Sequence, residues 1–179
     1  MRHRNAGFTL IEAVAAAAVV SILAGIALPA AQGAIEAAHN GSAKSILLES
    51  WLTSVSHAAL TGTEVVLCPG DASGCRDHTD WSQGWIAFAD LDGSRTRSPN
   101  ETLLKTAEPL GGNVHLRSTT GRTRVVFQPN GGNAGSNITW TLCDGRGAAR
   151  ATTIVVSNQG RLRAGTPTAA AAQACLAAM

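Results

Sequence analysis

The sequence predicts an α+β protein, in which a long N-terminal helix packs on an antiparallel β-sheet domain and the first half of the helix crosses a membrane. Two observations lead to this fold class. Helical periodicity follows an uncharged apolar run and continues to about Thr61, and the pattern then changes to short alternating runs bounded by Gly, Pro, Asn or Asp. A helix followed by a series of short strands is an α+β arrangement with the helix against the sheet.

The apolar run has the length and the flanking charges of a membrane span. No residue from Ala13 to Ala31 is charged, and with Phe8–Ile11 the run is long enough to cross a bilayer as a helix. Arg2 and Arg4 precede it, and basic residues hold their end of a span in the cytoplasm. The remainder of the chain is therefore expected outside the cytoplasm.

Glu12 lies near the start of this apolar segment. A charged group in hydrocarbon costs about 3 kcal/mol and usually has a partner. After Arg4 the next basic residue is Lys44, so no Lys or Arg on the same helix can reach Glu12, and we expect a positive charge from another chain. The alternative is an ordinary secretory signal peptide, cleaved near Ala27, which would leave a soluble exported protein.

The run Gly7-Phe8-Thr9-Leu10-Ile11-Glu12 resembles the processing site of type IV pilins and type II secretion pseudopilins. The resemblance implies that prepilin peptidase cleaves between Gly7 and Phe8 and that the new amino group of Phe8 is methylated. It also implies that Glu12 pairs with the N-terminal amine of a neighbouring subunit. The expected divisions are a leader at 1–7, a transmembrane and assembly helix at 8–31, an amphipathic continuation at 32–62 and a globular β domain at 63–179.

The second half of the helix is predicted to be amphipathic. One face carries apolar side chains at three- and four-residue steps: Leu48, Trp51, Leu52, Val55 and Ala59. The other face carries Glu49, Ser50, Thr53, Ser54 and His57. We expect the apolar face to pack on the core and Thr61-Gly62 to end the helix.

Eight short runs after the helix predict the strands of an antiparallel sheet system. They are Glu64–Cys68, Trp85–Ala89, Leu103–Thr106, Val114–Leu116, Arg124–Gln128, Ile138–Cys143, Thr153–Ser157 and Arg161–Arg163. The alanine-rich tail from Thr166 is expected to be irregular or a short helix that Cys175 ties down.

Four cysteines in an exported chain predict disulfides. Of the three possible pairings we favour Cys68–Cys75 with Cys143–Cys175, because the first two lie close in sequence and bracket turn residues. A zinc site is disfavoured, since neither pair is C-x-x-C and no histidine has ligand spacing beside one. No metal or cofactor is predicted.

The charge is distributed unevenly, although the net charge is only +2. Acids predominate between Glu36 and Glu108, whereas Asp144 is the only acid after Asn113. The Lys and Arg residues of that last part are all arginine: Arg117, Arg122, Arg124, Arg146, Arg150, Arg161 and Arg163. This asymmetry indicates a polyanionic partner, and arginine is suited to forked phosphate contacts.

Several motifs in order resemble the GspH/FimT family of minor pilins and pseudopilins. After the helix they are the Cys68–Cys75 loop, Gly84-Trp85-Ile86-Ala87-Phe88-Ala89-Asp90, a late Cys143 and Gly160-Arg161-Leu162-Arg163. The last motif is similar to the G-R-x-R pattern of FimT-type minor pilins, which bind DNA during natural transformation. By that resemblance Arg161 and Arg163 are DNA-binding residues.

The residues of this last motif fit such a role on physical grounds. Alternate side chains of a strand share a face, so Arg161 and Arg163 are about 6.6 Å apart, close to twice the rise of about 3.4 Å per phosphate in a DNA strand, and the pair could meet neighbouring phosphates or straddle one backbone. Leu162 then faces the core. We add Arg146 and Arg150 as an extension of the patch by charge. The alternative is a solvated strand end without a ligand.

Two further motifs are assigned no chemistry. Ser73 in Gly70–Gly74 lacks the G-x-S-x-G pattern and the strand-turn-helix setting of a serine hydrolase. Asp90, Asp92 and Glu101 fall at the first, third and twelfth places of a calcium loop, but the sixth place, which needs glycine, is Arg95. We interpret that segment as a hairpin turn.

The sequence therefore predicts a structural subunit and not an enzyme. The first hypothesis is a minor pilin of a type IV pilus whose arginine patch binds double-stranded DNA, independently of sequence, for uptake. The second is a minor pseudopilin of a type II secretion system, or a minor pilin that only primes assembly. Expected partners are other pilin subunits and prepilin peptidase. The expected location is the inner membrane, with a periplasmic domain, followed by a pilus or pseudopilus.

Overall fold

The fold comes from a computed structural model that describes residues 9–134 and 137–177. The predicted cleavage site at Gly7 and Phe8 lies outside the described residues, as does the leader before it. The chain separates into two compact units, one ending at Ile35 and one beginning at Glu36. Helix α1, Leu10–Thr61, contributes its first part to one unit and its second part to the other.

The part of α1 in the first unit is apolar and exposed. The helix contains a stretch that is long and apolar enough to cross a membrane, judged by length and composition. Leu10, Val20 and Ile26 are 84%, 64% and 69% exposed, respectively. Apolar side chains exposed over this length require lipid or neighbouring protein as their surroundings.

In its described residues, the second unit contains two antiparallel sheets together with the second part of α1. One has the strand order β2-β1-β3-β4, with β6 also paired to β1, and the other has the order β5-β7-β8-β9. The strands are β1 Glu64–Asp71, β2 Gly74–Cys75, β3 Trp85–Asp90, β4 Leu103–Ala107, β5 His115–Ser118, β6 Val125–Phe127, β7 Ile138–Cys143, β8 Thr152–Val156 and β9 Leu162–Gly165. A short 3-10 helix, Ala148–Arg150, precedes β8, and α2, Ala169–Leu176, follows β9. The α+β fold class is confirmed.

The strand predictions are confirmed with small differences at the ends. Each of the eight predicted runs overlaps an observed strand, and Ile138–Cys143 matches at both ends. Strand β2 was not predicted, because two residues are too short to show a period. The helix ends where Thr61-Gly62 predicted it, and the backbone N–H of Gly62, at φ 72°, donates to the carbonyl of Ala58 at 3.0 Å.

The predicted apolar face of α1 is confirmed in part, since Leu48, Trp51 and Val55 pack against the core, but the most deeply buried face is shifted by about one residue. The buried positions are Asn40, Ala43, Leu47, Ser50, Ser54 and Ala58. Leu52, which was assigned to the core, is 58% exposed, whereas Ser50 and Ser54 are fully buried. Their hydroxyls donate to the carbonyls of Ile46 and Ser50 at 2.8 and 2.7 Å, so burial leaves neither hydroxyl without a partner. Small side chains on this face let the helix lie close to the sheet.

Three tryptophans occupy the centre of the core beneath this helix face. Trp81 packs edge-on against Trp140 with ring centroids 5.3 Å apart, and its centroid is 6.3 Å from that of Trp85. The indole Nε1 of Trp85 donates to the hydroxyl of Ser50 at 2.9 Å, and both residues are fully buried. This hydrogen bond fixes helix α1 to strand β3.

The structure contains two disulfides, and they are the pairs favoured from the sequence. Cys68 bonds to Cys75 across the β1–β2 turn, and Cys143 of β7 bonds to Cys175 of α2. Ala151, Ala172 and both members of the second pair form a small separate core. The tail is thus tied to the second sheet by a covalent bond and an apolar contact.

Candidate nucleic-acid interface

The hairpin between β8 and β9 positions Arg161 and Arg163. Strand β9 is antiparallel to β8, with Val156 opposite Leu162 and Val155 opposite Arg163. Leu162 is half-buried and packs against the main core, whereas the arginines on either side of it are exposed. Arg163 lies on β9, where side chains alternate, and Arg161 immediately precedes the strand, so we infer that both arginines point away from the core on the same side.

Gly160 is required for the turn that precedes Arg161. Its φ is 74°, and a Cβ at this position would lie 2.2 Å from the carbonyl oxygen of Gly131. The turn is closed by the N–H of Ser157, which donates to the carbonyl of Arg161 at 2.9 Å. The buried side chain of Asn133 supports it by donating to the carbonyl of Ser157 at 2.9 Å. The glycine of the motif therefore serves the backbone, and the arginines that follow it are held on a fixed strand.

Among the described residues, no acid pairs with Arg161 or Arg163. Within residues 9–134 and 137–177, neither guanidinium makes a hydrogen bond or an ion pair, since only the backbone N–H of Arg161 donates, to Ser157 Oγ at 3.2 Å. The sequence contains no Asp or Glu after Asp144. Strand β9 is also the edge of its sheet, so its outer side is open to a large ligand.

The guanidinium of Arg146 forms an ion pair with a buried carboxylate. Its Nε and Nη2 donate to the two carboxylate oxygens of Asp144 at 2.9 and 2.7 Å, and Asn40 donates to the same group at 2.8 Å. Burial alone would raise the pKa of Asp144, but the hydrogen bonds and charge of Arg146, with Asn40, hold that pKa below its usual value. The pKa of Arg146 is raised by the same contact. The structure thus gives Arg146 a structural partner, which weakens its assignment to the patch.

Arg150 is exposed but lies at the other end of the sheet. It ends the 3-10 helix that leads into β8, whereas Arg161 follows the turn that leaves β8. Strand β8 has five residues, so these two positions are separated by about 17 Å along the strand direction. The four arginines named from the sequence do not form one continuous patch.

Arg122, which the sequence interpretation did not assign to the patch, lies at the same end of the sheet as Arg161. Its Nη2 donates to Asn137 Oδ1 at 3.3 Å, and β7 begins at the next residue, opposite the end of β8. Arg122 follows β5 in the chain, and β5 is separated from β9 by three strand spacings, about 14 Å. Only the strand order brings Arg122 to this end, so no signal in the sequence could have identified it.

The other predicted site, Glu12, caps its own helix. Its Oε2 accepts hydrogen bonds from the backbone N–H and the hydroxyl of Thr9, at 2.9 and 2.8 Å. The backbone N–H of Glu12 in turn points to the Thr9 hydroxyl at 3.4 Å, which completes a capping box. The spacing T-x-x-E before an apolar run carries this signal, and the sequence interpretation missed it. The carboxylate keeps lone pairs for a further donor.

Known family models match both the globular part of the chain and its N-terminal segment. The family model for the type II transport protein GspH matches residues 54–160. The model for the prokaryotic N-terminal methylation motif matches residues 2–28. The first match ends at Gly160, immediately before the arginine pair. No curated protein matches the chain.

Solved structures give a similar fold. The type IV minor pilin FimU of Pseudomonas aeruginosa, strain PAO1, superposes with a TM-score of 0.52 at 12% identity, over 75% of this chain and 90% of FimU. A second crystal form of FimU gives a TM-score of 0.50 at 13% identity, over 74% and 93% of the two chains. At this identity the likeness concerns the fold alone.

Proposed function

The chain belongs to the family of the type II transport protein GspH, and on that premise we propose that it is a minor subunit of a type IV pilus that binds DNA for uptake. The family consists of minor pilins and pseudopilins, which are structural subunits. The single observation that carries the DNA role is the pair Arg161 and Arg163, exposed at the start of an edge strand and without an acidic partner among the described residues.

The chemistry of the pair favours the phosphate backbone over base edges. Two arginines whose backbone positions are about 6.6 Å apart could contact neighbouring phosphates of one DNA strand, and a contact of this type carries no sequence information. Arg122 adds a third positive charge at the same end of the sheet. A single subunit with two or three phosphate contacts binds weakly, and repeated display along a fibre would raise the apparent affinity.

We propose that Glu12 acts in assembly through its charge, after processing between Gly7 and Phe8 and anchoring in the inner membrane. The structure offers a way to separate this role from helix capping. Glu12→Gln keeps an acceptor for Thr9 but removes the charge, whereas Thr9→Ala removes the hydroxyl of the capping box and keeps the charge. We expect loss of the subunit from purified fibres only for Glu12→Gln. Equal loss in both variants would assign Glu12 to capping.

The DNA role is tested in the native host with Arg161→Gln combined with Arg163→Gln. We expect the subunit to remain in the fibre and DNA uptake to fall at least tenfold. Arg150→Gln is the control, because Arg150 is equally exposed but lies at the other end of β8. Unchanged uptake in the double variant, or an equal fall in the control, would contradict the proposal.

A second candidate function is that of a minor pseudopilin in type II secretion, or of a minor pilin that primes assembly without DNA binding. The description of the matching family favours it, and so does the end of that match before the arginine pair. A deletion strain that secretes poorly but takes up DNA normally would support this function. Normal secretion with impaired uptake would support the first.

A further inference from the structure

Three carboxylates converge in the connection between β3 and β4. Asp90 is the last residue of β3, Asp92 follows two residues later, and Glu101 precedes β4. One oxygen from each lies within 4.8 Å of the others. Asp90 and Glu101 are only 3% and 4% exposed, whereas Asp92 is exposed. The hairpin predicted from the sequence is present, but its acids meet at one point.

One oxygen of this cluster is buried without a donor. The backbone N–H of Arg95 donates to Asp90 Oδ2 at 3.1 Å, and the N–H groups of Leu91 and Ser98 donate to Glu101 at 2.9 and 2.7 Å. Asp90 Oδ1, in contrast, is inaccessible to solvent and accepts no hydrogen bond. A buried carboxylate oxygen without a partner is costly, so this atom is suited to accept a hydrogen-bond donor or a cation.

The neighbouring arginines do not supply that group. Arg97 Nη1 donates to the carbonyl of Ala72 at 2.7 Å, which directs it to the β1–β2 turn. Arg124 donates to the carbonyl of Arg95 and forms an ion pair with Asp77. In the described part of the chain, no side-chain nitrogen of Lys, Arg or His lies within 4.0 Å of an oxygen of the three carboxylates.

We propose that Asp90, Asp92 and Glu101 bind a divalent cation, and that this cation is Ca²⁺. The donors are all carboxylate oxygens, which favour hard cations, and the cluster contains neither histidine nor cysteine. Ca²⁺ tolerates irregular coordination and takes the rest of its ligands from water or carbonyls, whereas Mg²⁺ demands near-octahedral geometry. Sites of this kind on extracellular modules bind with a Kd of about 10⁻⁴ to 10⁻³ M.

The loop also adopts the left-handed backbone conformation that calcium loops require at their sixth place, although this chain has Arg95 there. Arg95 stands at the sixth place, where calcium loops carry glycine for a sharp turn. Its φ is 59°, in the left-handed region that glycine normally provides. The arginine therefore does not prevent the turn, and its backbone N–H faces Asp90. The cation would join the end of β3 to the start of β4.

The test uses the full-length protein in mild detergent, stripped with EDTA and titrated with CaCl₂ by calorimetry. We expect one site per chain with a Kd in the range above, at least tenfold weaker binding of MgCl₂, and a rise in the unfolding temperature with CaCl₂. Asp92→Asn should weaken Ca²⁺ binding at least tenfold. Asp71→Asn, an exposed aspartate in the β1–β2 turn, should leave it unchanged.

A second variant keeps the result interpretable if one substitution disturbs the fold. Asp90→Asn places an amide nitrogen beside the other two carboxylates, so it should abolish Ca²⁺ binding while the protein remains folded without the ion. The proposal is overturned if no heat of binding appears up to 10 mM CaCl₂, roughly ten times the weakest expected Kd. It is also overturned if Asp92→Asn and Asp90→Asn both bind Ca²⁺ as the unaltered chain does.

Discussion

Arg146 is held against Asp144 by a two-pronged contact, with Nε and Nη2 of the guanidinium on the two carboxylate oxygens at 2.9 and 2.7 Å. The Asp144 side chain is completely buried and that of Arg146 is 26% exposed. The same carboxylate accepts from the buried Asn40 of α1. An arginine that appears in the sequence as one of a basic group is therefore part of the connection between α1 and the second sheet.

The first prediction concerns removal of this carboxylate charge. Asp144→Asn removes the negative charge and replaces one of the two acceptor oxygens by an NH₂ donor, so Arg146 and Asn40 can no longer both be satisfied. Breaking a buried pair in this way costs about 3 kcal/mol. Unfolding in urea, followed by tryptophan fluorescence, measures the loss in full-length protein. The matched control is Asp71→Asn, whose pair with Arg76 is half exposed and should matter little. Equal midpoints for the two variants would contradict the assignment.

The second prediction is the pH dependence of the same contact. The pKa of Asp144 is lower folded than unfolded, so its contribution to stability is complete above the unfolded value of about 3.9 and is lost as the pH falls through the folded value. The difference in stability between the unaltered chain and Asp144→Asn should therefore be constant near neutral pH and shrink below about pH 4. Urea titrations at a series of pH values measure it. A stability difference that grows as the pH falls would contradict a lowered pKa of Asp144 in the folded state.

The third prediction separates two buried serines of α1. Ser50 and Ser54 both donate to a carbonyl of their own helix, but only Ser50 accepts the indole N–H of Trp85. Ser50→Ala leaves that N–H buried without an acceptor and should cost about 1–3 kcal/mol. Ser54→Ala loses only the bond within the helix and should be close to neutral. Similar losses for both would mean that the indole bond contributes little.

The fourth prediction ranks the two disulfides. The Cys143–Cys175 bond closes a separation of 32 residues, and the Cys68–Cys75 bond closes 7. In the chain-entropy model these loops stabilise the folded state by about 4 and 2 kcal/mol, respectively. Paired Cys→Ser variants should follow that order in urea unfolding. A larger loss of stability in the Cys68→Ser, Cys75→Ser variant would contradict this order.

The fold was largely predictable because its signals are local. The change of period after Thr61 and the turn residues between strands identify the elements without tertiary information. The buried face of α1 was predictable only in part from hydrophobicity, because Ser50 and Ser54 satisfy their hydroxyls inside the helix and can be buried more closely than Leu52. The hydrophobic pattern placed Ser50 and Ser54 on the polar face of the helix because it does not register hydrogen bonds within the helix.

The candidate sites were predictable only in part, for a different reason. Arg161 and Arg163 lie two residues apart, so strand alternation alone places them on one face. The grouping of Arg146 and Arg150 with this pair assumed that residues near in sequence are near in space. Strand β8 instead places them at the opposite end of the sheet from the pair. The convergence of Asp90, Asp92 and Glu101 likewise depends on how the loop returns to β4. The sequence alone argued against a calcium loop there, because Arg95 stands at the place that needs glycine.

The central claim is that Arg161 and Arg163 form a phosphate-binding pair. The most direct measurement is the salt dependence of duplex DNA binding by the full-length protein in detergent, with two duplexes of unrelated sequence, followed by fluorescence anisotropy. Arg161→Gln with Arg163→Gln should weaken binding to both duplexes and reduce the slope of log K against log salt by about 2, one unit for each lost phosphate contact. Arg76→Gln with Arg150→Gln removes the same net charge elsewhere and should leave the slope unchanged. A slope that is the same in the arginine-pair variant as in the unaltered chain would contradict the claim.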